Sequence, residues 1–149
     1  MRTLRIALAG LGFGAEFVPI YLHHPNVEHL AICDADRSRL DSTGDRFGIS
    51  DRYTDLDEIV RSDRFDAVHL VTPIPLHAAQ TVAVLESGKH CACTVPMATS
   101  IEDLRTIVAA QRASGRNYMM METAVYTREF LFVQEMYRRG EMGALSLLR

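Results

Sequence analysis

Cysteine is scarce in this sequence: there are three, Cys33, Cys91 and Cys93. That number is odd and too small for a disulfide framework, and all three lie in or at the ends of apolar, strand-like runs. They read as reduced, buried, small hydrophobes of a cytosolic protein. Cys91-x-Cys93 has no further ligand at a suitable spacing, so no metal site is expected. Basic blocks are also missing, and the formal net charge is −3, which argues against a nucleic-acid surface. Polar residues break every apolar run well short of a membrane span. There are no repeats and no low-complexity linker. Met1-Arg2-Thr3-Leu4-Arg5 runs straight into the first apolar stretch, so no separate signal peptide and a cytoplasmic location are expected.

What is present fits one packed domain. The chain has 149 residues, 48% of them hydrophobic and 23% charged, enough to bury a core and too apolar for disorder. Strand and helix signals alternate. Strands are expected over Leu4–Ala9, Val27–Cys33, Arg52–Tyr53, Asp66–Val71, His90–Cys93 and Asn117–Met121. Helices are expected over Phe13–His24, Asp36–Phe47, Leu56–Ser62, Leu76–Ser87, Ile101–Ser114 and Thr127–Arg139, several of them closed by glycine (Gly48, Gly88, Gly115, Gly140). Short strands separated by helices imply right-handed crossovers and a parallel, doubly wound α/β sheet in three layers.

The densest signal is Gly10-Leu11-Gly12-Phe13-Gly14-Ala15, directly after the first strand. Gly10 permits a tight turn, Gly12 leaves room for a phosphate, and Ala15 is the small residue that lets helix and strand pack closely. Backbone N–H groups and the positive end of a helix dipole would meet a diphosphate there. Asp34 follows the second strand, 24 positions after Gly10, where a carboxylate can accept from ribose hydroxyls. Both features point to a Rossmann-type dinucleotide site. The competing reading is a glycine turn of another α/β protein, with Asp34 only capping the next helix.

Together with Cys33-Asp34-Ala35-Asp36, Arg52-Tyr53-Thr54-Asp55, Asp66-Ala67-Val68, Thr72-Pro73, His77 and Gly88-Lys89-His90, this motif resembles the N-terminal domain of the glucose-fructose oxidoreductase / inositol dehydrogenase (Gfo/Idh/MocA) family. The resemblance covers essentially the whole chain. It implies NAD or NADP as cofactor, a sugar, cyclitol or related small polyol as substrate, and hydride transfer between nicotinamide and a carbinol carbon. It also implies a second, largely antiparallel domain that completes the substrate site and makes a homo-oligomer. Residues 1–143 are then the dinucleotide-binding domain. Residues 144–149, with the apolar Leu145, Leu147 and Leu148, read as the start of a truncated second domain in a fragment of a longer protein.

One departure is chemical. The family usually carries Glu-Lys-Pro after the fifth strand, with the lysine near the nicotinamide and the reacting hydroxyl. Here the place reads Thr94-Val95-Pro96, and no neighbour replaces the cation. The missing lysine leaves open a second function, a non-catalytic NAD(P)-dependent sensor. As an isolated chain the protein is expected to be inactive. A nucleotide-free scaffold is disfavoured, because nothing fills the gap that Gly10 and Gly12 leave.

The candidate site residues follow. Gly10, Gly12, Phe13, Gly14, Ala15 and Asp34 are cofactor-binding candidates, joined by Thr72 and Pro73 at the carboxyl end of the fourth strand and by His77 on the next helix. Asp34 favours NAD by repelling a 2′-phosphate; Arg37 and Arg39, read mainly as solvated helix surface, could instead serve NADP. Glu122, read as the end of a central strand facing the cleft, and Tyr126 are the candidates for acid–base work. Met119-Met120-Met121 reads as plastic core. His23, His24, His29, His69 and His90 read as surface or satisfied core groups.

Overall fold

The computed structural model describes residues 3–144. Six strands form one sheet, each pairing parallel to its neighbour: β1 (Leu4–Ala9), β2 (Val27–Cys33), β3 (Arg52–Tyr53), β4 (Ala67–Leu70), β5 (His90–Thr94) and β6 (Tyr118–Met121). Their spatial order is β3-β2-β1-β4-β5-β6. The chain winds outward from β1 to one edge, returns to β4 beside β1, and winds to the other edge. The carboxyl ends of β1 and β4 therefore flank the reversal point, where open α/β sheets hold their ligands.

Both faces of the sheet are buried, and the period of two along β1 explains how. Ile6 and Leu8 join Leu11, Val18, Leu30, Ile32, Leu40 and Ile49 on one side. Ala7 and Ala9 join Ile59, Phe65, Val68, Leu70, Val84 and Leu85 on the other. A strand covered on both faces needs apolar residues at every position, which is why β1 and β2 read as unbroken hydrophobic runs. Cys33, Cys91 and Cys93 are free and buried in the second of these cores. Desolvation pushes the Cys33 and Cys91 thiols up to about 12 and that of Cys93 up to about 11, which leaves them protonated packing groups.

The helices are α1 (Val18–His23), α2 (Arg37–Phe47), α3 (Leu56–Arg61), α4 (His77–Glu86), α5 (Ile101–Ser114) and α6 (Arg128–Arg138). Two expected helices are shorter than the sequence suggests. In the segment read as one helix over Phe13–His24, Gly14–Phe17 is a 3₁₀ turn and α1 begins only at Val18. Pro19 has no N–H to offer the carbonyl of Ala15, so Val18 closes on Ala15 instead and the regular helix starts around the proline. Before α4, residues Ile74–Leu76 likewise form a 3₁₀ turn containing Pro75.

The caps are local and polar. Asp36 opens α2 by accepting from the amides of Ser38 and Arg39, Ser100 opens α5 through Asp103, and Gly48 and Gly115 close these two helices in the left-handed conformation.

β6 is the sheet's edge, and Met119 and Met120 stand half-exposed on it. They are not core: among the described residues no further strand pairs with β6. Helix α6 buries none of its residues. The strand expected over Leu145–Leu148 lies outside the described residues. Among those described, no helix is long and apolar enough to cross a membrane.

Candidate cofactor-binding cleft

The cleft begins with two glycines that do different work. Gly10 has φ +90°, and a Cβ built on it would sit 2.4 Å from the carbonyl oxygen of Val71, so backbone occupies the space a side chain would need. A Cβ on Gly12 would meet nothing within 4 Å among the described residues. Gly10 lets the chain turn past the end of β4; Gly12 leaves the cleft open. That open cradle fits a diphosphate, whose oxygens need close approach to the backbone.

Two amides of the turn are already engaged. Gly10 donates to the carbonyl of Cys33 at 2.8 Å, and Leu11 donates to Asp34 Oδ2 at 2.7 Å. The amides of Gly12 and Phe13 donate to no group among the described residues, so these two remain for an anion. The Leu11 bond also ties the ends of β1 and β2 together. Asp34 is 7% exposed at its side chain, and its other oxygen accepts from the amide of Asp36 at 2.8 Å.

Around this turn lies a cavity of about 780 Å³, whose wall includes Gly10, Gly12, Asp34, Arg39, Thr72 and Pro73. Its volume falls in the range of small-molecule and cofactor sites, roughly 300–1,000 Å³. Arg39 was expected mainly as solvated surface, and here the structure differs. Its Nη1 lies 3.1–3.2 Å from both Asp34 oxygens and its Nη2 3.3 Å from Asp36 Oδ2. One helical turn from the cap brings its guanidinium back over the cleft mouth. Arg37 is solvated, with 78% of its side chain exposed beside Asp41.

The remaining candidates divide. Phe13 is exposed and stacks edge-on against Phe17. Gly14 is buried against the Val71 side chain, and Ala15 is half-buried in the 3₁₀ turn. These two pack helix against strand, and with Phe13 they are absent from the cavity wall.

His77 is also absent from that wall. Only 1% exposed, it places Nδ1 2.8 Å from the Pro96 carbonyl and Nε2 2.8 Å from that of Thr72. It is a brace between the loops after β4 and β5. Thr72 itself donates through Oγ1 to Gln80 Oε1 at 2.5 Å.

Val95, in the place of the expected lysine, precedes Pro96 through a cis peptide bond and is half-buried.

Glu122 ends the edge strand β6, not a central one. Its Oε1 accepts from the amide of Ala124, the first residue of the 3₁₀ turn Ala124–Tyr126, at 2.8 Å. Tyr126 is 70% exposed. Neither lines the cavity. Strands β4 and β5 stand between them and the reversal point.

His69, read as a satisfied core group, is only half satisfied. Its Nδ1 lies 3.0 Å from Tyr21 Oη, while its buried Nε2 has no partner among the described residues. Desolvation pushes this imidazole down to about 4.

Residues 4–122 match the model of an oxidoreductase family with an NAD-binding Rossmann fold, GFO_IDH_MocA. The chain belongs to this family. It is the family's NAD-binding Rossmann domain, as the cleft geometry indicates. Curated relatives include a glycosyl hydrolase family 109 protein of Shewanella baltica strain OS155, 34% identical over 155 residues, covering 97% of this chain and 34% of the relative. An α-N-acetylgalactosaminidase of Shewanella oneidensis is 33% identical over the same shares. The chain thus spans about a third of the length of the curated relatives it matches. Among solved structures, an oxidoreductase of Agrobacterium radiobacter in complex with NAD+, L-tartaric acid and magnesium aligns with a TM-score of 0.86 at 26% identity, over 95% of this chain and 42% of that one. Myo-inositol 2-dehydrogenase of Lactobacillus plantarum shares the fold, with a TM-score of 0.87 at 19% identity over 97% of this chain and 43% of that one.

Proposed function

We propose that this chain is the cofactor-binding part of an oxidoreductase that uses NAD(H) to move a hydride to or from a carbinol carbon of a sugar, cyclitol or related polyol. Bound nicotinamide supplies the hydride chemistry. The chain's own residues bind and orient. The open face of Gly12 receives the diphosphate beside the amides of Gly12 and Phe13, Asp34 holds the adenosine ribose, and Thr72 and Pro73 border the nicotinamide side at the end of β4. His77 keeps the loops after β4 and β5 at a fixed separation. The observation that carries this reading is the empty Cβ space at Gly12 inside a cavity that Asp34 also lines. With Val95 in the lysine position, proton transfer falls to Glu122, Tyr126 or a group of a second domain. Glu122 and Tyr126 stay on the list of acid–base candidates only in a longer protein, where that domain covers β6.

Calorimetry of NAD+ binding to the wild type and to Gly12→Val tests the cofactor site. Equal affinities overturn it.

The Shewanella relatives support a second reading, cleavage of a glycoside. Net hydrolysis is compatible with an NAD site when the hydride taken from a ring carbinol is returned to the same sugar before release. The longer protein, offered free sugars and cyclitols in one assay and aryl glycosides in another, separates the two. Accumulating NADH marks the first reading, and aglycone release without NADH the second.

A further inference from the structure

The adenosine end of the cleft holds an ion-pair arrangement that the cofactor reading leaves unused. Asp34 is anchored on both oxygens by backbone amides, Oδ2 by Leu11 and Oδ1 by Asp36. Its remaining acceptor capacity faces Arg39 Nη1, 3.1–3.2 Å from both oxygens. Asp36 is partitioned in a similar way. Its Oδ1 caps α2 by accepting from the amides of Ser38 and Arg39, at 3.0 and 3.2 Å. Its Oδ2 is left for Arg39 Nη2 at 3.3 Å. The guanidinium is therefore spread across two carboxylates, each fixed by other bonds.

This matters for one chemical feature of the ligand. A phosphate on the 2′ oxygen of the adenosine ribose adds close to two negative charges at neutral pH and seeks a planar, multi-donor cation. The cavity wall carries four carboxylates, Asp34, Asp36, Asp55 and Asp57, against a single guanidinium, Arg39. A free arginine at this point would clamp a 2′-phosphate. An arginine tied to two carboxylates has to break both contacts first.

We propose that Asp36 is a specificity-determining residue: by holding Arg39 across Asp34, it withholds that guanidinium from a 2′-phosphate and sets the cleft for NAD over NADP. The proposal rests on the reading that this cleft takes the adenosine end of a dinucleotide. Asp36 differs in role from Asp34. Asp34 meets the ribose, whereas Asp36 acts through Arg39.

The test is calorimetric titration of NAD+ and NADP+ into the 149-residue chain and its variants. Asp36→Ser removes the charge yet keeps an oxygen able to cap α2, and Asp36→Asn does the same with a different shape. Thermal melting verifies that each is folded. The wild type is expected to prefer NAD+. In Asp36→Ser or Asp36→Asn, the ratio of NADP+ to NAD+ affinity should rise by about tenfold or more, the scale of one new charge-assisted arginine–phosphate contact. Adding Arg39→Met to Asp36→Ser should erase that gain. Ratios within twofold of wild type in both single variants overturn the proposal. So does a gain that survives loss of Arg39, because removal of negative charge then acts without the guanidinium. A wild type that binds neither dinucleotide overturns the cofactor reading as well, a result separable from an unchanged ratio.

Discussion

A Cβ on Gly10 would lie 2.4 Å from the carbonyl oxygen of Val71, and both positions are backbone-defined. The turn after β1 therefore presses on the end of β4, and its φ of +90° adds strain for any L side chain. Gly10→Ala should lower stability by roughly 2–4 kcal/mol, combining a backbone clash with an unfavourable φ. Chemical denaturation measures it. Gly12→Val, where the space is open, should melt close to wild type and lose NAD+ binding. The pair separates folding from ligation within one turn.

His69 gives the protein a pH dependence of stability. Burial holds its folded value at about 4, against 6.5 for an exposed histidine. Between those values the unfolded chain takes up a proton that the folded chain refuses. The contribution of His69 is thus complete above pH 6.5 and is lost as pH falls toward 4, by about 3 kcal/mol at most. Denaturant midpoints measured from pH 7 to pH 4.5 should fall in the wild type and fall less in His69→Phe. Identical slopes would show that other groups carry the effect.

His77→Phe should cost about 1–3 kcal/mol, because it removes the ring N–H donated to one of the two carbonyls, those of Thr72 and Pro96, that its nitrogens face at 2.8 Å. Urea unfolding reads the loss. Weaker NAD+ binding should accompany it, since Thr72 and Pro73 border the cleft.

The isolated chain should bind NAD+ and show no measurable turnover of sugars or cyclitols. Val95→Lys should not restore it, because positioning of the substrate is missing as well as the cation. Single-turnover absorbance of NADH in this chain beside a longer protein checks the point. Equal rates would refute it.

Much of the architecture was legible because its signals are local. Glycine and capping residues bound β1, β2, β3 and α5 where the sequence places them. Residues 10, 12 and 34 meet in the cleft because strand ends in a parallel sheet lie side by side. Relationships set by spatial order were harder to read. β6 is the last described strand and sits at the edge, so Glu122 bonds to the Ala124 amide beside it and Met119 and Met120 stand half-exposed. Nothing in the local pattern distinguishes an edge strand of four residues from a central one. The reach of Arg39 back to Asp34, and the two-sided brace of His77, depend on side-chain directions across 5 and 19 residues. The 3₁₀ turns before α1 and α4 have local causes visible in the sequence, Pro19 and Pro75.

The anchoring of Asp34 has an entropic consequence. Its carboxylate is immobilised during folding by the amides of Leu11 and Asp36, so a ligand arriving at the ribose position need not freeze that side chain. The guanidinium opposite it is held as well, across the carboxylates of Asp34 and Asp36. Association of NAD at the ribose position should then cost little rotamer freedom on either partner of the pair.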